Sequence, residues 1–287
     1  MNSARHTSLT RGWMLLRVCL LLLPAAALIG PDVAAAKKPP PLCQPMVPCA
    51  DSRGCPDMVI DRGVLADLLV HSIEFRTFAS DDCVVLEGMV APGTRKLLQF
   101  STMTVNLGAG DLVLGNPLDH PDWFDLVTCH GHAHIKEYAD YRLWTIAGYL
   151  QWTALRAADP SVCAQEIFAA HPELAAQLVN GAKRGFCFFD VVPAGTPFLP
   201  SATVTCPGTP DPRKYLSCDF AGLSVCWADI YEPFIDGQWL DITDVPDGEY
   251  VLENEANARH FFTETDYTNN SAAVRIRING KNVKVLD

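Results

Sequence analysis

The sequence predicts a mainly β protein, with a β-sandwich core, long disulfide-linked loops and a short helical insertion. Short apolar segments, separated by Asp-Asp, Pro-Gly and Gly-Ala-Gly, recur on both sides of the chain's middle, as is typical of strands joined by turns. Residues 143–182 instead carry apolar residues at helical spacing. Widely spaced cysteines indicate covalent links between loops.

The first 36 residues have the pattern of an export signal. Three arginines precede the apolar run CLLLLPAAALIG, and a small-residue cleavage site follows at Ala34-Ala35-Ala36. The run is too short for a membrane span, so we expect no stable membrane insertion. The sequence therefore predicts a secreted, or periplasmic, protein whose mature chain begins near Lys37.

The charge balance argues against one class of partner. The formal net charge is -11, and removal of the signal, with three arginines and one aspartate, makes it about -13. Binding to a phosphate backbone requires a basic surface, so we expect no nucleic-acid partner. The acidic surface weakly favours cationic partners, whereas the oligomeric state leaves no signal in the sequence.

The cysteine count indicates disulfides. One of the eleven cysteines, Cys19, lies in the export signal, and an even number in an exported chain predicts cross-links. No C-x-x-C pair is present, so a zinc ribbon has no support. The remaining cysteines are Cys43, Cys49, Cys55, Cys83, Cys129, Cys163, Cys187, Cys206, Cys218 and Cys226.

The elements follow in order along the chain. Residues 37–56 form a strap too rich in proline for a helix, ahead of a single domain at 57–287. The segments VVLEGMV, LLQFSTMTVNLG and DLVLG predict strands. Two or three short helices are expected within 143–182, with Asp159 or Ser161 and His171-Pro172 as starts. FCFFDVV, QWLDITDV, EYVLENEAN and SAAVRIRIN predict the C-terminal strands.

The segment TCHGHAHIKEYADY, residues 128–141, sets His130, His132 and His134 at every second position. In an extended chain alternate side chains share a face, so the three imidazoles would converge. A lone histidine is more often structural or exposed, but this triple spacing favours a metal site. Ligand type alone leaves copper and zinc open, and three protein ligands leave a position for water or substrate.

The same region resembles a known family. The run W-x(5)-C-H-x-H-x-H-x(6)-Y, from Trp123 to Tyr141, is similar to the copper-binding segment of the lysyl oxidases, which are secreted copper amine oxidases. Further matches follow in family order: GAKRGFCFFD at 181–190, DIYEPFIDGQWLDITDVPDGEYVL at 229–252 and TETDYTNN at 263–270. The resemblance covers most of residues 55–278 and implies copper(II), rather than zinc, at the histidines.

The resemblance also implies a built-in cofactor, lysine tyrosylquinone, made from a lysine and an oxidised tyrosine. Lys183 falls on the family's cofactor lysine and Tyr231 on its cofactor tyrosine. The implied reaction converts lysine ε-amines, in proteins or in related primary amines, to aldehydes, with dioxygen consumed and hydrogen peroxide and ammonia released. The general base is left open among four carboxylates near the tyrosine: Asp229, Asp236, Asp241 and Asp244.

A second metal site is expected near the C-terminus. Hard oxygen donors cluster within seven residues, which suits calcium, although a polar turn capping a strand has the same composition. The resemblance implies a structural calcium site there, completed by Asp57 and by the backbone carbonyl of Met58. The C-terminal donors are Glu264, Asp266, Asn269 and Asn270.

For the disulfides, the resemblance implies Cys129 with Cys218 and Cys187 with Cys206. A further family bridge loses its second cysteine, because Gly237 stands there, so Cys226 is expected to be free or paired with Cys163. Four cysteines are expected to pair among themselves in an order that the sequence does not fix. They are Cys43, Cys49, Cys55 and Cys83.

Two functions from other classes also fit the histidine triplet. One is a non-catalytic, copper-binding extracellular protein in which the quinone never forms. The other is a zinc-dependent hydrolase that uses the same three imidazoles. Formation of a quinone from Lys183 and Tyr231 would separate the oxidase from both.

Overall fold

Antiparallel sheets joined by long loops make up most of the computed structural model. It describes residues 42–67, 71–126, 129, 131–183, 186–195 and 200–286, with the backbone alone at 180, 182 and 183. These residues belong to one unit. The predicted class, mainly β with a short helical insertion, is confirmed.

The strands are β1 (Met58–Ile60), β2 (Ser72–Phe78), β3 (Gly93–Gln99), β4 (Thr102–Asn106), β5 (Leu112–Gly115), β6 (Phe124–Leu126), β7 (Ala133–Ile135), β8 (Ala139–Thr145), β9 (Leu178–Lys183), β10 (Val192–Pro193), β11 (Ala221–Leu223), β12 (Trp227–Tyr231), β13 (Trp239–Asp241), β14 (Gly248–Ala256), β15 (Ser271–Asn279) and β16 (Asn282–Val285). The α-helices are α1 (Arg62–Leu65), α2 (Cys83–Leu86), α3 (Ile146–Ala158) and α4 (Ala164–Ala170), and short 3₁₀ turns cover Pro117–Asp119 and Pro172–Gln177.

The largest sheet has the order β16-β15-β14-β8-β9, and a second has the order β1-β4-β12-β10. In β15, Val274 and Ile276 are buried while Arg275 and Arg277 are exposed, because successive side chains of a strand point to opposite faces. Buried residues from both sheets share the main apolar cluster, which also takes in Leu98 and Leu240 of the smaller sheet β13-β3-β2, while Met103 and Val105 of β4 belong to a separate cluster. The core therefore lies between the sheets.

The helical insertion connects β8 to β9. It occupies 146–177, less than the predicted 143–182, because the flanking residues pair with each other as strands. The Thr145 hydroxyl caps α3 by accepting from the Gly148 backbone N–H at 3.0 Å. Helix α4 starts after Cys163 rather than at Asp159 or Ser161, while the turn at Pro172 begins where it was predicted.

A buried ionic cluster fixes the insertion to the sheet. The Arg142 guanidinium, which is fully buried, contacts Glu253 at 3.2 Å and Glu255 at 2.5 Å. The indole N–H groups of Trp144, on β8, and Trp152, on α3, both donate to Glu253, at 2.8 and 3.0 Å. Burial of such charges is favourable only when they are paired and hydrogen-bonded, and these are.

Two predicted strands are wrong. VVLEGMV forms helix α2 and a turn, since the Asp82 carboxylate accepts from the Ala79 N–H at 2.7 Å and turns the chain before Cys83. FCFFDVV is largely irregular, because its backbone partners lie in distant loops. Phe186 O accepts from Ile135 N at 3.0 Å, and Asp190 N donates to Tyr215 O at 2.8 Å.

The disulfide pairing also differs from the prediction, although disulfides themselves are confirmed. The predicted bridges Cys129–Cys218 and Cys187–Cys206 are wrong, as is a bridge from Cys163 to Cys226. Of the four cysteines expected to pair together, only Cys49 and Cys55 do so. The bridges are Cys43–Cys163, Cys49–Cys55, Cys83–Cys129, Cys187–Cys218 and Cys206–Cys226.

The observed disulfide pairing depends on which loops the fold brings together. The buried Asp190 carboxylate accepts from the backbone N–H groups of Lys214 and Tyr215, at 2.9 and 3.2 Å, and so brings the loop that ends at Cys218 against Cys187. A single buried carboxylate thus sets a pairing that cysteine order along the chain does not encode.

The described part of the strap, from residue 42 to 56, lies against the domain. Val47 forms a parallel bridge with Phe262, and Cys43 is joined to Cys163 in the helical insertion. Arg53 bridges acidic groups from separate loops, including Asp111 at 2.9 Å. Among the helices described, none has the length and apolarity required to cross a membrane.

Candidate active site

A cavity of about 550 Å³ lies where the bend before β7 meets the loops after β9 and β12, and it brings two predicted site residues together. His132 and Tyr231 both line it, although ninety-nine positions separate them. The volume falls in the range of small-molecule sites. Its remaining walls are aromatic and sulfur-containing, with one pair of opposite charges: Phe186, Phe189, Phe234, Ile235, Met89, Cys187, Cys218, Arg76 and Asp236.

The two described histidines converge. His134 lies in β7 and is buried, whereas His132 lies in the bend before that strand, after Gly131 with φ +74°. Their Nε2 atoms are 3.2 Å apart. Two metal–nitrogen bonds of about 2.0–2.1 Å at a tetrahedral angle would place the nitrogens about 3.3 Å apart, so both can reach one ion.

Of the described residues in the histidine segment, 129 and 131–135, the predicted extended conformation holds for 133–135. The bend at 131–132 needs a residue that tolerates positive φ, and glycine supplies it. His130 lies outside the described residues, and its part in the triplet stays a prediction. Cys129, next to it, is tied to α2 by its bridge to Cys83.

Tyr231 ends β12 at the base of the cavity and is 5 % exposed. Its hydroxyl donates to the Cys187 carbonyl at 2.6 Å, and its ring packs edge-on against Phe186, with centroids 4.2 Å apart. Burial, and then the nearby charge of Asp229, raise the pKa of Tyr231 well above its usual value. At neutral pH the side chain is a neutral phenol held in one orientation.

The structure distinguishes among the four carboxylates that the sequence left open. Asp229 is fully buried and accepts from the Tyr138 hydroxyl at 2.9 Å. Asp236 and Asp241 form ion pairs with arginines at 2.7 and 2.6 Å, and Asp244 is exposed. Asp229 is thus the carboxylate buried beside the predicted cofactor tyrosine.

The backbone of Lys183 lies near the same place. Lys183 is the last residue of β9 and pairs with Ala139 of β8. Tyr138, which precedes that partner, packs against Tyr231 with ring centroids 5.6 Å apart, and Phe186 follows Lys183 by three residues. The Lys183 side chain lies outside the described part of the chain.

The predicted calcium residues also gather in one place, around a buried carboxylate. Glu264, 6 % exposed, accepts from the Met58 backbone N–H at 2.8 Å and from the Asn257 amide at 2.5 Å. The Asn270 amide also donates to it. Burial raises the pKa of Glu264 to about 8 despite these hydrogen bonds.

The neighbouring oxygen atoms indicate which kind of ion this cluster suits. The Asn269 amide donates to Asp57 at 3.0 Å, and the pKa of Asp57 is raised by burial and by the charge of Asp266. The side-chain oxygens of Asn269 and Asn270 are buried without a hydrogen-bond partner among the described residues. Buried oxygens and carboxylates of raised pKa fit a hard cation such as calcium.

Three residues near the site carried no signal in the sequence. Arg76 reaches the cavity from β2, Phe186 from an irregular segment, and Tyr138 from the turn before β8. Their roles depend on contacts between segments up to 160 residues apart, as in the Arg76–Asp236 pair, and local periodicity does not report such contacts.

The chain is similar to known proteins of one family. Residues 201–287 match the lysyl oxidase family model. Lysyl oxidase homolog 1 of Homo sapiens is 28% identical over 249 residues, which cover 84% of this chain and 36% of that protein. For lysyl oxidase homolog 4 of Homo sapiens the identity is 28% over 250 residues, or 83% of this chain and 27% of that protein.

Lysyl oxidase homolog 2 of Gallus gallus is 29% identical over 199 residues, covering 68% of this chain and 20% of that protein. The chain spans about a third or less of the length of the curated relatives it matches. The C-terminal match to the family model, and the likeness of most of the chain to lysyl oxidase homologs, support a relationship to the lysyl oxidase family.

Proposed function

We propose that this protein is a secreted copper amine oxidase that oxidatively deaminates lysine ε-amines, peptidyl or in related primary amines, to aldehydes with release of hydrogen peroxide and ammonia. The observation that carries the proposal is the cavity lined by both His132 and Tyr231. A metal-ligating imidazole and a buried phenol in one small-molecule cavity are what a metal-dependent, tyrosine-derived cofactor requires. The similarity to lysyl oxidase homologs supports a lysyl oxidase-like function.

The residues present fit the implied metal. His132 and His134, with Nε2 atoms 3.2 Å apart, would hold copper(II) together with His130. When bound there, copper would supply, with dioxygen, the oxidising power for converting Tyr231, joined to Lys183, to a quinone that acts as the electron sink for amine oxidation. The remaining tasks, which are binding, orientation and proton handling, fall to the protein.

The walls of the cavity suit the apolar stem of a lysine side chain. Phe186 fixes the Tyr231 ring by an edge contact, and the hydrogen bond to Cys187 holds the phenol oxygen. Phe189 and Phe234 extend the aromatic wall toward the surface, where Phe234 is exposed. Aromatic walls exclude water and so strengthen every electrostatic contact within the site.

Calcium is proposed as a structural ion held by Asp57, the Met58 carbonyl, Glu264, Asp266, Asn269 and Asn270. The buried side-chain oxygens of Asn269 and Asn270 without hydrogen-bond partners among the described residues, and the raised pKa of Glu264, support it. The ion would tie β1, at the start of the domain, to the loop before β15. A ligand that binds the folded state alone stabilises it, by about 2.7 kcal/mol at 100 times its Kd.

The test uses the full secreted chain, loaded with copper, and a primary amine such as a lysine peptide. We expect hydrogen peroxide to accumulate, and phenylhydrazine to stop this and produce a hydrazone absorbance. The Tyr231→Phe variant, at equal copper content, should give neither signal. Copper binding with no peroxide and no hydrazone would contradict the oxidase and favour a copper-binding protein, and zinc-dependent hydrolysis would favour a hydrolase.

A further inference from the structure

Asp229 lies on the same strand and the same face as the proposed cofactor tyrosine. In β12, Asp229 pairs with Thr104 and Tyr231 with Thr102, both in β4. Residues two apart in a strand project to one side, so the carboxylate and the phenol point into the same layer of the core. Asp229 has no exposed surface.

The carboxylate lies between two phenols. Tyr138 donates its hydroxyl proton to Asp229 Oδ2 at 2.9 Å, and the Thr104 hydroxyl lies 3.3 Å from the same tyrosine oxygen. After burial, the nearby negative charge of Asp229 is the next cause that raises the pKa of Tyr231. Sequestering a carboxylate in a core is costly unless it is compensated, so this arrangement calls for a reason beyond packing.

The chemistry proposed for Tyr231 supplies that reason. Oxidation of a phenol releases the hydroxyl proton, and a buried phenol cannot pass that proton directly to bulk water. The Cys187 carbonyl accepts a hydrogen bond from Tyr231, but an amide carbonyl is too weak a base to take the proton. The Asp229 carboxylate, buried on the same face of β12 as Tyr231, is a strong enough base to take it.

We propose that Asp229 is the proton acceptor for Tyr231 during its conversion to the cofactor, and that Tyr138 holds the carboxylate in place. In this step the Tyr231 O–H bond breaks and an Asp229 O–H bond forms. The electrons leave separately, to the copper and dioxygen of the proposed function, on which this inference rests. Asp229 is distinguished from the three other nearby aspartates by its complete burial on the same face of β12 as Tyr231.

The test follows formation of the cofactor rather than turnover. Copper-free protein is given saturating copper in air, and the covalent link between the Lys183 and Tyr231 peptides is followed by mass spectrometry, together with the quinone absorbance. Asp229→Asn keeps the shape and the acceptor oxygen for Tyr138 but cannot take a proton. At pH 7 we expect its cross-linking rate to fall about 100-fold or more at unchanged copper stoichiometry. Asp81→Asn, an exposed aspartate between β2 and α2, is the matched control and should react as wild type.

The pH profile separates proton transfer from a structural role. The titratable groups facing Tyr231 are Asp229 on its own strand, Tyr138 and Tyr141 from the β8 segment, and His132 across the cavity. In Asp229→Asn the phenol must ionise without an internal acceptor, so the rate should rise about tenfold per pH unit from pH 7 to 9. In wild type, where Asp229 accepts the proton, the cross-linking rate should change little from pH 7 to 9. This measurement on wild type tests the proposal even if the variant fails to fold.

Two results would overturn the role of Asp229: cross-linking of Asp229→Asn at the wild-type rate, or a loss in that variant that is equal at every pH. A wild-type rate that itself climbs tenfold per pH unit would do the same. If copper-loaded wild type forms no cross-link at all, the proposed function fails and this inference fails with it. The failure of Asp229 alone is thus distinguishable from the failure of the oxidase.

Discussion

The buried ionic cluster beneath the helical insertion gives a prediction of known size. Arg142 is fully buried and contacts Asp140 at 2.8 Å, Glu253 at 3.2 Å and Glu255 at 2.5 Å. Its guanidinium carbon also lies 5.0 Å from the centre of the Trp152 ring. Replacing it, in Arg142→Met, would leave three buried carboxylates beside one remaining cation close to Glu255.

The expected loss is about 3–5 kcal/mol in the free energy of unfolding at pH 7, because removing one partner leaves uncompensated charge in the core. Such a loss is large against the roughly 5–15 kcal/mol that stabilises a typical domain. The pH dependence has a definite sign. Burial raises the pKa of Glu255, and the positive charge of Arg142 opposes that rise. In the variant, the pKa of Glu255 in the folded state therefore lies further above its value in the unfolded chain. Stability is lost as pH rises through a raised folded pKa, so the deficit should be greater at pH 8 than at pH 5.

Urea denaturation with the disulfides intact, at pH 5, 7 and 8, measures this. The matched control is Arg277→Met, which removes a cation from a solvent-screened ion pair with Glu249 and should leave the free energy of unfolding close to that of wild type. A loss below 1 kcal/mol for Arg142→Met at pH 7, or a deficit that shrinks as pH rises, would refute the reasoning.

Three further outcomes are expected at the proposed cofactor and metal sites. Tyr231→Phe should retain copper, measured by atomic absorption, yet give no cross-linked peptide; loss of copper in this variant would contradict the assignment of the metal to the histidines. His132→Ala should lose both copper and the cross-link, and a variant that keeps full copper stoichiometry would remove His132 from the ligand set. Chelation of calcium should lower the melting temperature of wild type, whereas Glu264→Gln should melt at the lower temperature with or without calcium; an unchanged wild-type melting temperature would argue against the calcium site.

Part of the fold follows directly from local patterns. The alternation in SAAVRIRIN predicts β15 because each side chain's environment repeats every two residues, and the structure buries Val274, Ile276 and Ile278 on one face. The helical spacing after residue 143 likewise predicts α3 and α4. What local patterns do not give is the exact limits, since pairing of β8 with β9 extends each flanking strand into the predicted insertion.

Contacts between distant segments were the part that the sequence did not reveal. The bridge from Cys187 to Cys218 depends on Asp190 gathering a loop more than twenty residues downstream, and no spacing of cysteines encodes that. The same holds for Asp229. The sequence does not distinguish it from the three other aspartates near Tyr231, whereas the fold buries it and places the Tyr138 hydroxyl against it. The histidine spacing was informative because the convergence of these side chains depends on the local backbone conformation rather than on contacts with distant segments. Even there, a bend at Gly131 replaces part of the predicted strand.

The most direct test of the proposed function is a mass measurement on copper-loaded, secreted protein. After proteolysis, the peptide that contains Lys183 and the peptide that contains Tyr231 should be recovered as one covalently joined species, and the Tyr231→Phe variant should yield them apart. Recovery of the two wild-type peptides unlinked, from protein that is fully loaded with copper and releases peroxide from an amine, would contradict the assignment of Lys183 and Tyr231 to a shared cofactor.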